Sequence, residues 1–187
     1  MQYSKALFVS ETSGFHAFVT ITRRVFMIIL SYLFRIEAMN IVNIFNASKK
    51  AITGVEKIDK SDDEWKKLLT SKQWEITTRK GTELPFERPF DEVPEEGIFT
   101  CVRCGTDLFR SSAKYDSGTG WPSFYEPISY LNIREKADVS LGLERTEVLC
   151  ARCGSHLGHV FNDGPGPTGK RYCMNGFALK FVPSGNL

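Results

Sequence analysis

The chain has no apolar run long enough to cross a membrane as a helix and no large excess of charge of either sign. Its most apolar stretch, residues 25–34, has about ten residues, whereas a spanning helix needs about 20. The 24 Lys and Arg residues nearly balance the 22 Asp and Glu residues, which leaves a net charge of +2. Because the basic residues are interleaved with acids rather than clustered, nucleic acid is not expected as a partner.

Acidic residues are also scarce at the start of the chain, where Glu11 and Glu37 are the only two before residue 50. An acid-poor segment with basic and hydroxyl residues is typical of a mitochondrial targeting peptide. The apolar run also fits a signal peptide, although no convincing small-residue cleavage site follows it closely. Alternatively, Met39 is itself a start and the preceding residues have no function. We predict an N-terminal extension at 1–60, a folded domain at 61–187, and an intracellular location, mitochondrial or cytoplasmic.

The secondary-structure signals predict short helices followed by strands. Ser61 and Glu64 form a capping-box pattern that predicts a helix start, with Trp65, Leu68 and Leu69 as its apolar face. The pattern over 70–79 is mixed. After residue 97, short apolar runs alternate with turn residues and no helical spacers separate them. This arrangement is typical of antiparallel sheets, so we predict a mainly β fold.

Cysteine is rare and odd in number, since only five occur and four of them form two CxxC pairs. The pairs are Cys101 with Cys104 and Cys150 with Cys153, each followed by a glycine that permits a tight turn. Two such pairs in one small domain predict a tetrahedral zinc site with no open position for chemistry. Iron in the same four-cysteine site and a redox-active CxxC are the alternatives.

The fifth cysteine, Cys173, is left without a partner in either pair. If RYCMN is a strand, Arg171 and Asn175 lie on the same face as Cys173 because side chains alternate between the two faces. A thiol reacts as the thiolate, which a nearby cation favours. Cys173 is therefore a candidate nucleophile, and a buried structural cysteine is the alternative.

Two further segments carry candidate site residues. His156 and His159 lie three apart and close to Asp163, which favours a general acid or base over a second metal site. Trp121 and Phe124, in the segment SGTGWPSF, predict a rigid apolar wall of the kind that suits a methyl group on sulfur. A place in the hydrophobic core is the alternative for these two aromatic residues.

Together these motifs resemble the B-type methionine sulfoxide reductases, which reduce the R epimer of the sulfoxide. The resemblance covers roughly residues 61–183 and includes GTELPF, both CxxC pairs, SGTGWPSF, HLGHVFNDGPGPTGKRYCMNG and FALKF. It implies two antiparallel sheets in the β-tent arrangement, short N-terminal helices, and one structural zinc far from the active site. It also implies methionine R-sulfoxide, free or in proteins, as the substrate, repair of oxidised proteins as the role, and a monomer.

The resemblance implies a role for each candidate residue. Cys173 attacks the sulfoxide sulfur and is left as a sulfenic acid, while methionine is released. The residues that bind the sulfoxide oxygen or donate a proton to it are His156, His159 and Asn175. The pocket for the substrate methyl group is implied at Trp121 and Phe124. The groups that set the charge around the thiolate are implied at Asp163 and Arg171.

One departure from the family pattern affects how the enzyme is recycled. Many members carry a resolving cysteine where this chain has Thr119, and no other spare cysteine is present. An external thiol (thioredoxin, glutaredoxin or a low-molecular-weight thiol) is then expected to reduce the sulfenic acid. A disulfide with a metal-site cysteine is the alternative. Two other functions stay open: a zinc-stabilised binding module without catalysis, and a peroxide-reactive thiol enzyme that uses Cys173.

Overall fold

The computed structural model describes residues 25, 27–28, 40–88, 90, 96–142 and 144–186. The chain divides into two compact units, Met1–Ile41 and Val42–Leu187, and the architecture described here is that of the second unit. Apart from the helical residues 25, 27 and 28, the predicted targeting segment lies outside the described residues. Within the described ranges, no helix is both long and apolar enough to span a membrane.

The second unit is mainly β, and its elements confirm the predicted fold class. A two-stranded sheet of β1 (Ile41–Asn46) and β2 (Ala51–Glu56) precedes two short helices, α1 (Asp62–Leu68) and α2 (Ser71–Arg79). The strands that follow are β3 (Gly97–Cys101), β4 (Asp107–Arg110), β5 (Lys114–Tyr115), β6 (Ser123–Phe124), β7 (Ile133–Asp138), β8 (Arg145–Cys150), β9 (His156–Phe161), β10 (Arg171–Met174) and β11 (Leu179–Pro183). They form two antiparallel sheets, one of six strands in the order β5-β6-β10-β9-β8-β7 and one of three in the order β11-β3-β4.

The strands β1 and β2 lie within the stretch predicted as an extension, yet this stretch bonds to the rest of the unit. Phe45 N donates to Asn132 Oδ1 at 2.7 Å, and Asn132 Nδ2 donates back to Phe45 O at 2.8 Å. Ile58 N donates to Arg152 O at 3.0 Å. These bonds attach residues 45–58 to the folded unit, and the boundary at residue 61 stays a prediction.

Capping boxes begin both helices. At α1, Ser61 N donates to Glu64 Oε2 at 2.9 Å and Glu64 N donates to Ser61 Oγ at 3.4 Å, as the sequence predicts. The predicted apolar face is correct for Trp65, which is 2% exposed, and wrong for Leu68, which is 65% exposed. The helix ends at Leu68, so no further turn continues the buried face. A second box, formed by Thr70 and Gln73, begins α2 in a stretch without a clear sequence pattern.

The two larger sheets share one core of aromatic and aliphatic side chains. Phe109 of the three-stranded sheet stacks on Phe124 of the six-stranded sheet, with ring centroids 4.4 Å apart and planes at 15°. Tyr172 and Met174 of β10 are fully buried in the same core. Because side chains alternate along a strand, this burial turns Cys173 towards the opposite face of the sheet.

A β-bulge in the pairing of β8 with β9 brings two histidines to one face. In an unbroken strand, residues three apart lie on opposite faces. Here His159 pairs with Glu147 and His156 pairs with Leu149, so Leu157 is an extra residue, and its side chain lies in the core. The rings of His156 and His159 are consequently 5.5 Å apart.

Gly158 allows β9 and β10 to approach each other closely behind this face. It pairs with Met174, and a Cβ at Gly158 would clash with the carbonyl oxygen of Cys173 and lie 2.9 Å from the Cα of Met174. Only glycine avoids this clash. The backbone that carries Cys173 is therefore held tightly against the strand that carries the histidines.

Candidate active site and metal centre

A cavity of about 150 Å³ opens beside β9 and β10. Four of the residues predicted for the site line it, namely Cys173, His159, Asn175 and Trp121. Its full lining is Thr82, Trp121, Arg145, Gly158, His159, Phe161, Cys173, Met174 and Asn175. The other predicted site residues, which are His156, Phe124, Asp163 and Arg171, are not part of this lining.

Cys173 is a half-buried free thiol in the middle of the six-stranded sheet, and its direct partner on β9 is His159. Burial raises the pKa of the Cys173 thiol, and the Arg171 guanidinium and the hydroxyls of Thr119 and Ser123 act in the opposite direction. Burial outweighs them, so the protonated thiol is the resting form at neutral pH. The cation at Arg171 thus acts in the direction that the sequence predicts, but it does not by itself produce a thiolate.

Arg171 is fixed beside Cys173 by a carboxylate and an aromatic ring. Its Nε donates to Asp163 Oδ1 at 2.9 Å, and its Nη2 donates to Asp163 Oδ2 at 2.7 Å. The guanidinium carbon lies 4.4 Å from the centroid of Phe161, a residue that lines the cavity. Asp163 is mostly exposed and does not line the cavity, so it influences the site by holding the guanidinium of Arg171 in place.

His156 is buried in a hydrogen-bonded chain of charged side chains. Its Nδ1 donates to Glu147 Oε1 at 2.8 Å, and Lys80 Nζ donates to Glu147 Oε2 at 2.8 Å. Burial raises the pKa of Glu147, but the bonds from Lys80 and His156 outweigh that effect and lower it. Burial also lowers the pKa of His156, so its ring is neutral at pH 7. Its Nε2 is buried and has no hydrogen-bond partner among the residues that the structure describes.

His159 is paired with a different carboxylate at the edge of the cavity. Its Nε2 donates to Asp138 Oδ2 at 2.7 Å, and Arg145 Nη2 donates to the same oxygen at 3.0 Å. Hydrogen bonds from Ser140 and His159 hold the pKa of Asp138 well below its usual range, so the carboxylate stays ionised. The two histidines therefore share one face of the sheet, but each has its own acidic partner.

Asn175 is held by Glu83, a buried residue of the GTELPF segment. Glu83 N donates to Asn175 Oδ1 at 3.1 Å, and Trp121 Nε1 donates to Glu83 O at 3.1 Å. The Glu83 carboxylate accepts from the main-chain N–H groups of Gly176 and Phe177. One residue thus holds the amide of Asn175, the indole of Trp121 and the turn that follows Cys173.

The SGTGWPSF segment divides between the cavity and the core. Trp121 lines the cavity, as the apolar-wall prediction requires. Phe124 does not: it is fully buried and stacked on Phe109 in the core, which is the alternative that the sequence left open. Its position follows from β6, where Ser123 is the partner of Cys173 and Phe124 is the partner of the core residue Tyr172.

The sequence predicts no role in the site for three of its acids, namely Glu83, Asp138 and Glu147. Glu83 belongs to the GTELPF motif, but the partners of the three residues are 92, 21 and 9 residues away along the chain, so local patterns do not reveal their contacts. A weak signal existed at Glu147, since a charged residue beside Val148 and Leu149 in a strand-like run is seldom buried without a partner. Asp138 has no such signal, and for Glu83 the GTELPF motif indicates the family without indicating which residues it contacts.

The four remaining cysteines form a cluster whose geometry suits a metal ion. Their sulfur atoms all lie within 4.8 Å of one another. The Sγ atoms of Cys101 and Cys153 are 3.7 Å apart, and those of Cys104 and Cys150 are 3.5 Å apart. Zinc bonds thiolate at about 2.3 Å, so a tetrahedral site places its sulfurs about 3.8 Å apart. The donor set thus fits a tetrahedral ion, as the CxxC spacing predicts.

The two CxxC turns have the same main-chain geometry. Gly105 N donates to Cys101 O at 2.8 Å and Gly154 N donates to Cys150 O at 2.9 Å. The two glycines have φ values of 71° and 69°, a left-handed conformation that side chains disfavour. Each turn follows directly from the end of a strand, β3 in one case and β8 in the other, so the cluster joins the two sheets.

Comparison with known proteins places the same residues in a defined family. Residues 69–183 match the model of the SelR domain. A protein of Methanosarcina barkeri named peptide methionine sulfoxide reductase MsrB is 54% identical over 66% of this chain and 87% of its own length. Proteins with that name from Leptospira interrogans and Hahella chejuensis are 52% and 50% identical, over 66% and 68% of this chain and 95% and 91% of their own lengths.

Among solved structures, the Mis18 "Yippee-like" domain resembles 49% of this chain over its whole length, with a TM-score of 0.40 and 22% identity. That similarity is too low to indicate a function. The SelR match, by contrast, spans the helix α2, both CxxC pairs, the cavity and Cys173. The chain therefore belongs to the SelR family of B-type methionine sulfoxide reductases.

Proposed function

We propose that this chain reduces methionine R-sulfoxide, free or in proteins, to methionine, and so repairs oxidised proteins. The observation that carries the proposal is the position of Cys173 in a small cavity beside His159, Asn175 and Trp121. The 50–54% identity to proteins named peptide methionine sulfoxide reductase supports it. The cavity of about 150 Å³ suits the end of a methionine sulfoxide side chain rather than a large ligand.

The proposed reaction moves one oxygen atom from the substrate sulfur to Cys173. The Cys173 sulfur attacks the sulfoxide sulfur as the thiol proton passes to solvent, and the substrate is reduced by two electrons. A protonated histidine gives its proton to the oxygen, and the ring then recovers a proton from solvent. The resulting hydroxyl group leaves the substrate sulfur and bonds to the Cys173 sulfur as the sulfur–sulfur bond breaks, and the electron pair of that bond stays on the substrate sulfur. The products are methionine and the sulfenic acid of Cys173, and the net reaction neither gains nor loses a proton.

The contacts of each side chain suggest its part in this reaction. His159 lines the cavity and is the proposed acid, while His156, behind it, offers an unpaired Nε2 to the oxygen through a water molecule. Asn175 retains one amide hydrogen beyond its bond to Leu157 O, which can bind the same oxygen. Trp121 and Phe161 are the proposed contacts of the methyl group, and Arg171, held by Asp163, stabilises the developing thiolate.

We propose zinc as the ion of the four-cysteine cluster, in a structural role. Four thiolates complete a tetrahedral zinc site and leave no open position for substrate. The ion would hold the ends of β3 and β8 together, and all reacting groups come from other residues. The sulfur–sulfur distances of 3.5 and 3.7 Å support a closed site of this size.

The proposed reductant is an external thiol of the thioredoxin, glutaredoxin or low-molecular-weight class. Position 119 holds threonine, whose hydroxyl lies 2.8 Å from Ser117 Oγ and has no disulfide chemistry. The sulfenic acid would react with one thiol to form a mixed disulfide and water, and a second thiol would release Cys173. A monomer located in the cytoplasm or mitochondrion completes the proposal.

Turnover of the two epimers of methionine sulfoxide tests the proposed function. With dithiothreitol as reductant, we expect the R epimer to be reduced and the S epimer to give less than about one hundredth of that rate, because reversal at sulfur directs the methyl group away from Trp121. Methionine formation is measured by chromatography for each epimer separately. Reduction of the S epimer alone, or of hydroperoxide in preference to either, would show that the proposed function is wrong.

A single turnover without reductant tests the external-thiol step. We expect one equivalent of methionine and a Cys173 sulfenic acid that dimedone labels, since no spare cysteine can form a disulfide with it. Mass spectrometry of the labelled peptide measures this, with the Cys173→Ser protein as the unlabelled control. A disulfide between Cys173 and one of the metal-site cysteines, with loss of the metal, is the result that contradicts the prediction.

A further inference from the structure

One carboxylate behind the cavity holds two of the groups that line it. Asp138 Oδ2 accepts from His159 Nε2 at 2.7 Å and from Arg145 Nη2 at 3.0 Å, and both donors belong to the cavity lining. Asp138 is fixed in turn, since its Oδ1 accepts from Ser140 N at 3.0 Å. The pair lies at the end of the β7–β8 hairpin, where Asp138 is the cross-strand partner of Arg145.

The bond to Asp138 decides which atom of His159 faces the substrate. A neutral imidazole carries one N–H, and its position follows the hydrogen bond that the ring makes. With Nε2–H donated to Asp138, the second nitrogen, Nδ1, is the one left for the cavity. Because Nε2 already carries a hydrogen, a proton at Nδ1 gives the positively charged ring, which is the form that can donate to an oxygen.

We infer that Asp138 is a positioning residue that orients His159 and favours its protonated form for the reduction of the sulfoxide. The inference rests on the proposed function, in which His159 supplies the proton. Asp138 touches neither substrate nor sulfur, so its effect is transmitted through the imidazole. Asp138 is therefore a further residue with a role in the reaction, although no sequence motif includes it.

The other charges around His159 explain why this carboxylate matters. Arg145 contributes a positive charge from β8, and Glu147, the cross-strand partner of His159, is already paired with His156 and Lys80. Cys173 faces the ring from β10. Without Asp138, the guanidinium of Arg145 would lie next to the protonated ring with no anion between them, and this repulsion would disfavour the proton.

The second histidine–carboxylate pair, His156 with Glu147, is more deeply buried than the pair of His159 with Asp138. His156 and Glu147 are only 3% and 2% exposed, and the pKa of His156 is lowered by burial. The side chains of His159 and Asp138 are 12% and 18% exposed, so this pair is closer to solvent and to the cavity. In the proposed reaction, His156 therefore contacts the oxygen through a water molecule as a neutral ring, and His159 is the residue that donates the proton.

The Asp138→Asn variant tests the inference, because asparagine keeps the shape and one acceptor but removes the charge. We expect the pH at which kcat/KM for the R sulfoxide begins to fall on the alkaline side to move down by about one unit. The activity of the variant relative to the unchanged protein is then expected to decrease as the pH rises, by up to about tenfold, and to be closest to one at the acidic end of the profile. A profile that keeps its shape and is merely scaled down, or one that does not change, would overturn the inference.

Two variants serve as controls in the same assay. Asp138→Glu restores the charge at the cost of a longer side chain, and we expect it to return the profile towards that of the unchanged protein. Asp63→Asn removes an exposed acid from the first turn of α1 and is expected to leave the profile as it is. A shifted profile in Asp63→Asn, or no recovery in Asp138→Glu, counts against a specific role of the Asp138 charge.

A measurement on the unchanged protein keeps the inference testable if Asp138→Asn does not fold. Nitrogen NMR of the histidine rings, assigned with a His159→Gln variant, is expected to show the neutral His159 ring protonated at Nε2. A ring protonated at Nδ1 would overturn the inference, because Asp138 could then not accept from it. This result is independent of turnover, so it separates failure of the inference from failure of the proposed function.

Discussion

Replacement of Cys173 by serine is expected to abolish sulfoxide reduction, with a loss on the order of 10³-fold or more. The serine hydroxyl is nearly the size of the thiol, so the pairing of β10 with β6 and β9 should persist. However, it is a far weaker nucleophile, and no other residue of the cavity lining carries a thiol. The rate of methionine formation from the R sulfoxide with dithiothreitol measures the loss.

The matched control for this result is Thr119→Ser, which keeps a hydroxyl beside Cys173. We expect it to retain most of the activity, whereas Cys173→Ser retains none above background. Both proteins should bind one metal ion and unfold at similar temperatures, because neither residue belongs to the four-cysteine cluster. Sulfoxide reduction that survives in a folded Cys173→Ser protein would contradict Cys173 as the nucleophile.

Removal of the metal is expected to unfold the domain rather than to slow its chemistry. Structural zinc in small zinc peptides contributes about 10–16 kcal/mol of binding free energy. The whole stability of a typical domain is about 5–15 kcal/mol. Because the cluster connects the ends of β3 and β8, its loss separates the two sheets that share the core. Circular dichroism during thermal unfolding, before and after treatment with a strong chelator, measures the effect.

Metal analysis gives this experiment its controls. One zinc per chain is expected, and the protein should be colourless, whereas iron in the same site would absorb visible light. Cys104→Ser should lose both the metal and the cooperative unfolding transition, while Cys173→Ser should keep both. A protein that is shown to be free of metal and yet unfolds at an unchanged temperature would mean that the ion does not stabilise the fold.

Local patterns predicted the parts of the site in which all groups lie close together in the chain. The CxxC pairs predicted the metal cluster because two residues between thiols let both point at one ion. Alternation along a strand predicted that Arg171, Cys173 and Asn175 face one pocket, and Cys173 and Asn175 line the cavity whereas Arg171 does not. The capping box at Ser61 is likewise a local interaction, and it is present.

Patterns failed where tertiary packing decided the outcome. Phe124 fits both an apolar wall and a core, and only the stacking on Phe109 places it in the core. The spacing of His156 and His159 gave no reason for them to share a strand face, since residues three apart in a regular strand do not. The β-bulge at Leu157, which places both rings on one face, appears only when β8 pairs with β9.

The amino-acid sequence by itself determined the chemistry that is available: four cysteines for a metal, one free thiol and two nearby histidines. The tertiary structure decided how that chemistry is controlled. Burial raises the pKa of Cys173. Asp138 accepts a hydrogen bond from one histidine of the site and Glu147 accepts one from the other. The physical reason is that reactive groups are marked by residue type and short spacing, whereas burial and charge pairing arise from contacts between segments distant in the chain.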